Sequence, residues 1–425
     1  MKSKLLITIF LISCIFNLAS NTKAYIFGLK SSDNTIENIQ EIENKYQIRL
    51  PVVGFIFDPR GNHILDTINN LGSGLGYDRV YHITVSPNNF SAQEVIEGIF
   101  DKEYQSVFKA IKNNDIKVIF RTMHEMNGGR YPRASNPELF KQAWIHVWKL
   151  SRKEGLNQFN ILFDFSINHR DMPTNQTPSQ SAKLIQCSPS QKEKLNCYTF
   201  EDYYPGDNYV DIVGVSFYNR GKATSNRLRI APEEIINDTS RNTLSRMEKL
   251  GKPLFIDEVA TTSVYYTSAY DAQKSKEIYN TQTERKNQRL KQLKDFMLKH
   301  HQIYGALYFN TDYTDGLHFP QLGEADRSII NLYRDKFYQG FWDIYNISNN
   351  NFYKSNTPRL FNTYVFTKDS KTILVPYTYK DSFKKILEFT EKSQDLKFKL
   401  LKINPDLFKD KKLKTIISKI QEFYN

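Results

Sequence analysis

Between Tyr25 and Lys336, short apolar runs alternate with amphipathic stretches, and this rhythm limits the possible folds more than any other feature. Eight runs qualify as strands: Tyr25-Leu29, Val52-Phe57, Tyr81-Val85, Lys117-Thr122, Asn160-Phe165, Asp211-Tyr218, Pro253-Asp257 and Tyr304-Phe309. They read as nearly continuous apolar segments, the pattern of strands buried on both faces in a parallel sheet. Parallel neighbours need crossover connections, and the amphipathic stretches supply helices for them. Eight repeats predict an α/β fold, a (β/α)8 TIM barrel. Helix signals support the alternation. Asn136-Pro137-Glu138 places a capping side chain and a first-turn proline at the start of one helix, which Gly155 closes. Ala231-Pro232-Glu233 opens another, expected to run to Gly251. Gly72-Ser73-Gly74-Leu75-Gly76 superficially suggests a nucleotide loop, but it precedes a strand and reads as a turn.

The chain has 425 residues, with 40% apolar and 24% charged, a globular rather than a disordered composition. Three segments are expected. Residues 1–24 carry Lys2 and Lys4, an apolar run from Leu5 to Phe16 and a polar end at Thr22-Lys23-Ala24, the layout of a secretory signal. The run stops at Asn17, too short to span a bilayer. Export is therefore expected, with lipidation at Cys14 as the alternative, because Leu11-Ile12-Ser13-Cys14 resembles a lipobox. Residues 25–340 form the barrel and 341–425 a small, mostly helical accessory region, in which 360–379 reads as two short strands or a hairpin. Cys187 and Cys197 would be the mature cysteines, and they suit a disulfide closing a small loop or remain two free thiols. They lie in a long polar connection, roughly Asn168 to Asn208, which a barrel would hang over its C-terminal rim. Sixteen basic residues face nine acidic ones from Phe341 onward, out of a net charge of +12. That tail favours either a solvated helical face or association with an anionic envelope surface. No nucleic-acid partner is expected, and a monomer is.

Chemistry concentrates at two strand ends. Arg121-Thr122-Met123-His124-Glu125-Met126-Asn127-Gly128 follows the fourth strand, and Asp257-Glu258 ends the seventh. Cleavage of a glycosidic bond with retention needs one protonated and one ionised carboxyl about 5 to 5.5 Å apart, and two glutamates on opposed strand ends suit that need. Either glutamate alone is weak evidence, because an acidic residue after a buried strand is more often a helix cap or an ion-pair partner. His124 orients Glu125, contacts a sugar hydroxyl, or is a satisfied wall histidine. Arg121 keeps Glu258 ionised or forms a structural ion pair, which is the same contact. Tyr218 donates its hydroxyl to Glu258 or merely packs. Asp207 and Asp211 read as loop architecture. His124-Glu125 lacks the second histidine of a zinc-binding helix, and His300-His301 suits a helix end, so neither a metal nor a cofactor is expected.

These motifs resemble glycoside hydrolase family 26, chiefly β-1,4-mannanases. The resemblance rests on the Arg121 to Gly128 run, on Tyr203 to Gly214 with Tyr218 four residues later, and on Lys252 to Glu258. It implies Glu125 as acid/base and Glu258 as nucleophile of a retaining endo-β-glycosidase acting on a mannan-like polysaccharide. Arg121, His124, Asn127, Tyr218, Tyr131, Phe165 and Arg130 are then the expected substrate-binding residues.

The aromatic platforms depart from the family. The only tryptophans are Trp144, Trp148 and Trp342, and the first two, four apart on a helix, read as core. Arg130 and Arg133 follow Asn127-Gly128 where tryptophans are usual, and Val85 and Phe165 stand at two other such positions. Other glycans therefore stay open, namely β-1,3-xylan, mixed-linkage β-glucan or an acidic exopolysaccharide held by those arginines. So does a catalytically silent carbohydrate-binding protein of the envelope.

Overall fold

The computed structural model describes residues 25–31, 35–61, 63–86, 90–128, 131, 136–157, 160–171, 198–219, 231–237, 241–261, 287–300, 302–310, 343, 345–346, 363–368 and 371–376. Eight parallel strands close into a barrel in chain order. They are β1 (Ile26–Ser31), β2 (Val52–Phe57), β3 (Val80–Val85), β4 (Lys117–Arg121), β5 (Ile161–Asn168), β6 (Ile212–Asn219), β7 (Leu254–Thr261) and β8 (Ile303–Asn310). The seam joins β1 to β8, with Ile26 opposite Gly305 and Ser31 opposite Asn310. Around the barrel lie α1 (Ile36–Tyr46), α2 (Ile64–Leu75), α3 (Ala92–Ile96), α4 (Asp101–Asn113), α5 (Pro137–Lys153), α6 (Pro232–Ile236), α7 (Thr243–Glu248) and a helix α8 over 287–299. The expected TIM barrel is the observed fold.

Period-two alternation sorts each strand into an inward and an outward set. One apolar cluster holds a single residue from every strand: Ile26, Val52, Val80, Ile119, Leu162, Ile212, Phe255 and Leu307. This ring plugs the lumen. The outward residues and the helix faces form the larger core, where Trp144 of α5 is fully buried. Two residues further along the strands, the inward positions turn polar: His82 on β3, Arg121 on β4, Asp164 on β5 and Asp257 on β7, all buried. Small residues make that possible. A Cβ on Gly214 of β6 would lie 2.0 Å from Asp257 Oδ2 and 2.4 Å from Asp164 Oδ1, so only glycine leaves the two carboxyls room.

The start of α5 is as expected, with the Asn136 side chain accepting from the Glu138 and Leu139 amides. Two local expectations fail. The helix opened by Pro232 does not reach Gly251: α6 ends at Ile236, capped by Asn237, and α7 starts separately after Asn242, which takes a left-handed conformation (φ 47°). Gly72 and Gly74 lie inside α2 rather than in a turn, and Gly76 caps that helix at φ 101°. The apolar phase of Ile64, Ile68, Leu71 and Leu75, all buried, carries the helix through them. Beyond the barrel, β9 (Thr363–Lys368) and β10 (Lys371–Pro376) pair antiparallel, the hairpin being one of the two readings of 360–379. Residues 1–24 with Cys14, the Cys187–Cys197 segment, Arg130, Arg133 and the tail expected to be helical lie outside the described residues.

Candidate active site

The polar side chains converge at the C-terminal ends of the strands. Glu258 owes its place to an irregularity in β7. Ile256 pairs with Val215 of β6, yet Glu258, not Asp257, pairs with the next residue, Ser216. This extra residue is a β-bulge, which re-aims side chains beside functional sites. It turns two consecutive acids inward, Asp257 to His82 and Glu258 to the rim.

Three groups grip the Glu258 carboxylate. Lys30 of β1 donates to Oε1 at 2.7 Å, Arg121 of β4 donates to the same oxygen, and the Tyr218 hydroxyl of β6 donates to Oε2. Arg121 is braced in turn, its Nε donating to Thr84 Oγ1 at 2.8 Å and its Nη1 lying 3.4 Å from the Ser166 and Ser216 hydroxyls. Burial alone would raise the Glu258 pKa, but Lys30, Arg121 and His124 hold it well below the usual carboxylate range. Burial and the adjacent Glu258 and Glu125 carboxyls push the Tyr218 hydroxyl well above its ordinary value, so it stays a donor. Burial pushes Lys30 down to about 8, with Glu258 supporting its proton and Arg121 opposing it.

Glu125 sits in the turn after β4 with φ 53°, and Met123 has φ 46°. Left-handed backbone at a side-chain-bearing residue costs about 1–3 kcal/mol and persists only when surrounding structure enforces it. Here the Glu125 amide donates to the Ser166 carbonyl at 2.9 Å, and the Gly128 amide donates to the Glu125 carbonyl at 2.9 Å. The turn leaves Glu125 9% exposed, close enough to Lys30 and Tyr218 to act on both electrostatically. Tyr131 meets the neighbouring His124 ring edge-on at 5.6 Å.

Two expected substrate contacts are used elsewhere. Phe165 is fully buried on the outward face of β5, 5.8 Å from the Trp144 ring and 5.4 Å from Tyr204. Because Asp164 and Ser166 point inward, alternation sends Phe165 away from the lumen. The Asn127 side-chain amide donates to the Asn168 carbonyl at 2.8 Å and to Asp171 Oδ1 at 2.9 Å, and its oxygen accepts from the Asn168 amide at 2.8 Å. It ties the β4 turn to the segment after β5. Asp211 is loop architecture as read, accepting from the Phe163 amide at 2.8 Å.

Below Glu258 lies a cluster that sequence reasoning missed. His82, Asp164 and Asp257 offer donor atoms all within 4.8 Å of one another, a set able to hold a metal ion. Its electrostatics also suit a shared proton. His82 Nε2 lies 3.3 Å from Asp164 and 3.2 Å from Asp257, and the two aspartates also interact directly with each other. Burial and the Asp257 charge push Asp164 well up, so it carries the proton. Burial would raise Asp257 too, but His82 and Arg121 keep it low. Lys30 was missed as well. The signal for all of them was a charged residue at an inward position of an otherwise apolar strand.

Fold and site together define a (β/α)8 barrel whose C-terminal rim carries a clamped, ionised glutamate beside a second, strained one. The Glycosyl hydrolase family 26 model matches residues 77–295, just over half of the chain, and the chain belongs to that family. Endoglucanase H of Acetivibrio thermocellus is 22% identical over 300 residues, covering 64% of this chain. That match takes in 29% of the relative, so the chain spans under a third of its length. Among solved structures, the family 26 domain of a Prevotella bryantii endo-β-mannanase/endo-β-glucanase is 11% identical with a TM-score of 0.45, covering 77% of this chain and 89% of that one. A modular endo-β-1,4-mannanase from Cellulomonas fimi is 13% identical with a TM-score of 0.47, covering 80% and 76%.

Proposed function

We propose that the protein is an exported endo-glycosidase that cleaves a β-linked, mannan-like polysaccharide with retention. The observation that carries this reading is the Glu258 carboxylate, gripped by Lys30, Arg121 and Tyr218 and held anionic at the end of β7. An anion so prepared suits nucleophilic attack on an anomeric carbon. Glu125 then donates a proton to the departing oxygen and afterwards takes one from the water that hydrolyses the glycosyl-enzyme. The strained turn fixes its carboxyl at the rim. His124 adds positive potential at Glu258. The glucanase and mannanase names of the relatives put β-glucans and β-mannans first in the substrate panel.

The test is a reducing-end assay of purified protein on mannan, mixed-linkage glucan, β-1,3-xylan and acidic glycans, with the anomeric outcome followed by NMR. Glu258→Ala and Glu125→Ala should each lose turnover of the accepted polymer. Azide should restore Glu258→Ala with an inverted glycosyl azide and Glu125→Ala with a retained one. Full activity of either variant, or inverted product from the wild type, would overturn the assignment.

A further inference from the structure

Lys30 is the group at this rim that the glutamate pair does not by itself require. It sits near the end of β1, its side chain 3% exposed, with its ammonium 2.7 Å from Glu258 Oε1 and 4.7 Å from the centre of the Phe309 ring. Space is reserved for it. A Cβ on Gly54 of the adjoining β2 would lie 3.0 Å from Lys30 Cβ and 3.3 Å from Cγ. Arg121 already satisfies the same oxygen and always carries its charge. A second, titratable cation on one carboxylate oxygen therefore adds something Arg121 cannot, a charge that can be switched off.

We propose that Lys30 is a positioning residue that holds Glu258 anionic together with Arg121, so that the nucleophile is fully effective only while the Lys30 ammonium keeps its proton. The proposal rests on Glu258 acting as nucleophile.

Among the described residues, the groups around Lys30 are these. β2 and β8 present Gly54 and Phe309 beside it, which do not titrate. Across the lumen it faces His82 of β3, Arg121 of β4, Glu125 in the turn after β4, Tyr218 of β6 and Glu258 of β7. Arg121 stays charged, Tyr218 is pushed well above its ordinary value, and burial keeps His82 neutral. Lys30, at about 8, thus changes charge within a working pH range. With the ammonium gone, Oε1 keeps a single cation, and the carboxylate, still ionised at that pH, loses one of the groups that fix its position.

Two measurements test this. The first is a 1H–13C NMR titration of the full chain labelled with 13C-lysine. One lysine ε-methylene should titrate near pH 8, vanish in Lys30→Gln and move to lower pH in Glu258→Gln, since the Glu258 charge supports the proton. If every lysine titrates near the ordinary value of about 10.4, the proposal is wrong. The second uses 2,4-dinitrophenyl β-cellobioside and β-mannobioside, whose leaving group departs without a proton and so removes Glu125 from the first step. On whichever is turned over, wild-type kcat/KM should fall above pH 8. Lys30→Gln should be slower by about 10²-fold, the scale of losing one preorganised electrostatic partner, and should lose that limb. Lys30→Arg, whose cation does not titrate, should keep more activity than Lys30→Gln and stay flat above pH 8. A Lys30→Gln protein with the wild-type rate and limb overturns the proposal alone, provided Glu258→Ala is inactive. An active Glu258→Ala protein overturns the nucleophile assignment, and the Lys30 proposal with it.

Discussion

Gly214→Ala tests how tightly the layer beneath Glu258 is packed. The new methyl carbon would stand 2.0 Å from Asp257 Oδ2 and 2.4 Å from Asp164 Oδ1, where ordinary contact begins at 3.4 Å. Each oxygen must retreat by about 1 Å or more, and neither belongs to a flexible chain end, since both residues are fully buried. Overpacking of this kind costs about 1–3 kcal/mol. The retreat also strains the contacts of 3.2 and 3.3 Å to His82, and losing one bond to a charged group adds about 1.5–3 kcal/mol. The sum is roughly 4 kcal/mol, a fall in Tm of roughly 6 °C for a domain of this size. Urea unfolding followed by far-ultraviolet circular dichroism measures it. Adding Asp164→Ala should recover part of the loss, with a coupling above about 0.5 kcal/mol. A single-variant cost below about 1 kcal/mol, with no coupling, would refute the close-packed account of the cluster.

Phe165→Ala should cost about 3–5 kcal/mol in unfolding free energy while leaving KM for the polymer unchanged, because the ring packs on Trp144 and Tyr204 rather than facing the lumen; a raised KM at unchanged stability would contradict that placement. Asn127→Ala removes the brace to Asn168 and Asp171 and leaves buried partners unsatisfied, at about 1–3 kcal/mol each; a Tm equal to the wild type would count against the brace. His300 closes α8 against Glu233 at 2.8 Å and Glu248 at 3.5 Å. Burial opposes its charge, but these carboxylates raise its pKa above 6.5. A raised folded-state pKa gives stability that is full below the unfolded value and lost as pH rises through the folded one. His300→Gln should therefore cost more stability at pH 5.5 than at pH 9, and equal costs at both would exclude the linkage.

What could be read from the sequence followed how each signal is generated. Strand order and fold class were legible because burial on both faces leaves long apolar runs, and β2 has the expected bounds, Val52 to Phe57. Glu125, Glu258, Arg121 and Tyr218 stood out because they follow strand ends in motif-like groups. Lys30, His82 and Asp164 did not, since a single charge inside an apolar run says nothing about its partners until closure brings β1, β3, β5 and β7 together. Phe165 was misplaced for the complementary reason, as its neighbours Asp164 and Ser166 define the inward phase only once their contacts are known. Pro232 and Gly251 mark only the outer ends of that stretch, and no residue type within it announces that α6 stops at Ile236 and α7 starts at Thr243.

The bulge in β7 also sets how the barrel arranges charge by depth. A regular strand returns to the same face every second residue, about 6.6 Å further along, so two inward acids would be separated by one outward side chain. By advancing its phase by one residue, β7 makes them sequence neighbours, Asp257 serving the proton-holding cluster below and Glu258 the rim above. Arg121 acts on both, pairing with one and lowering the pKa of the other. The two levels thus draw on one cation, and the charge state of a site sealed from solvent becomes a setting for the site that is not. Removing the extra residue would leave the composition of the lumen almost unchanged and uncouple its two floors.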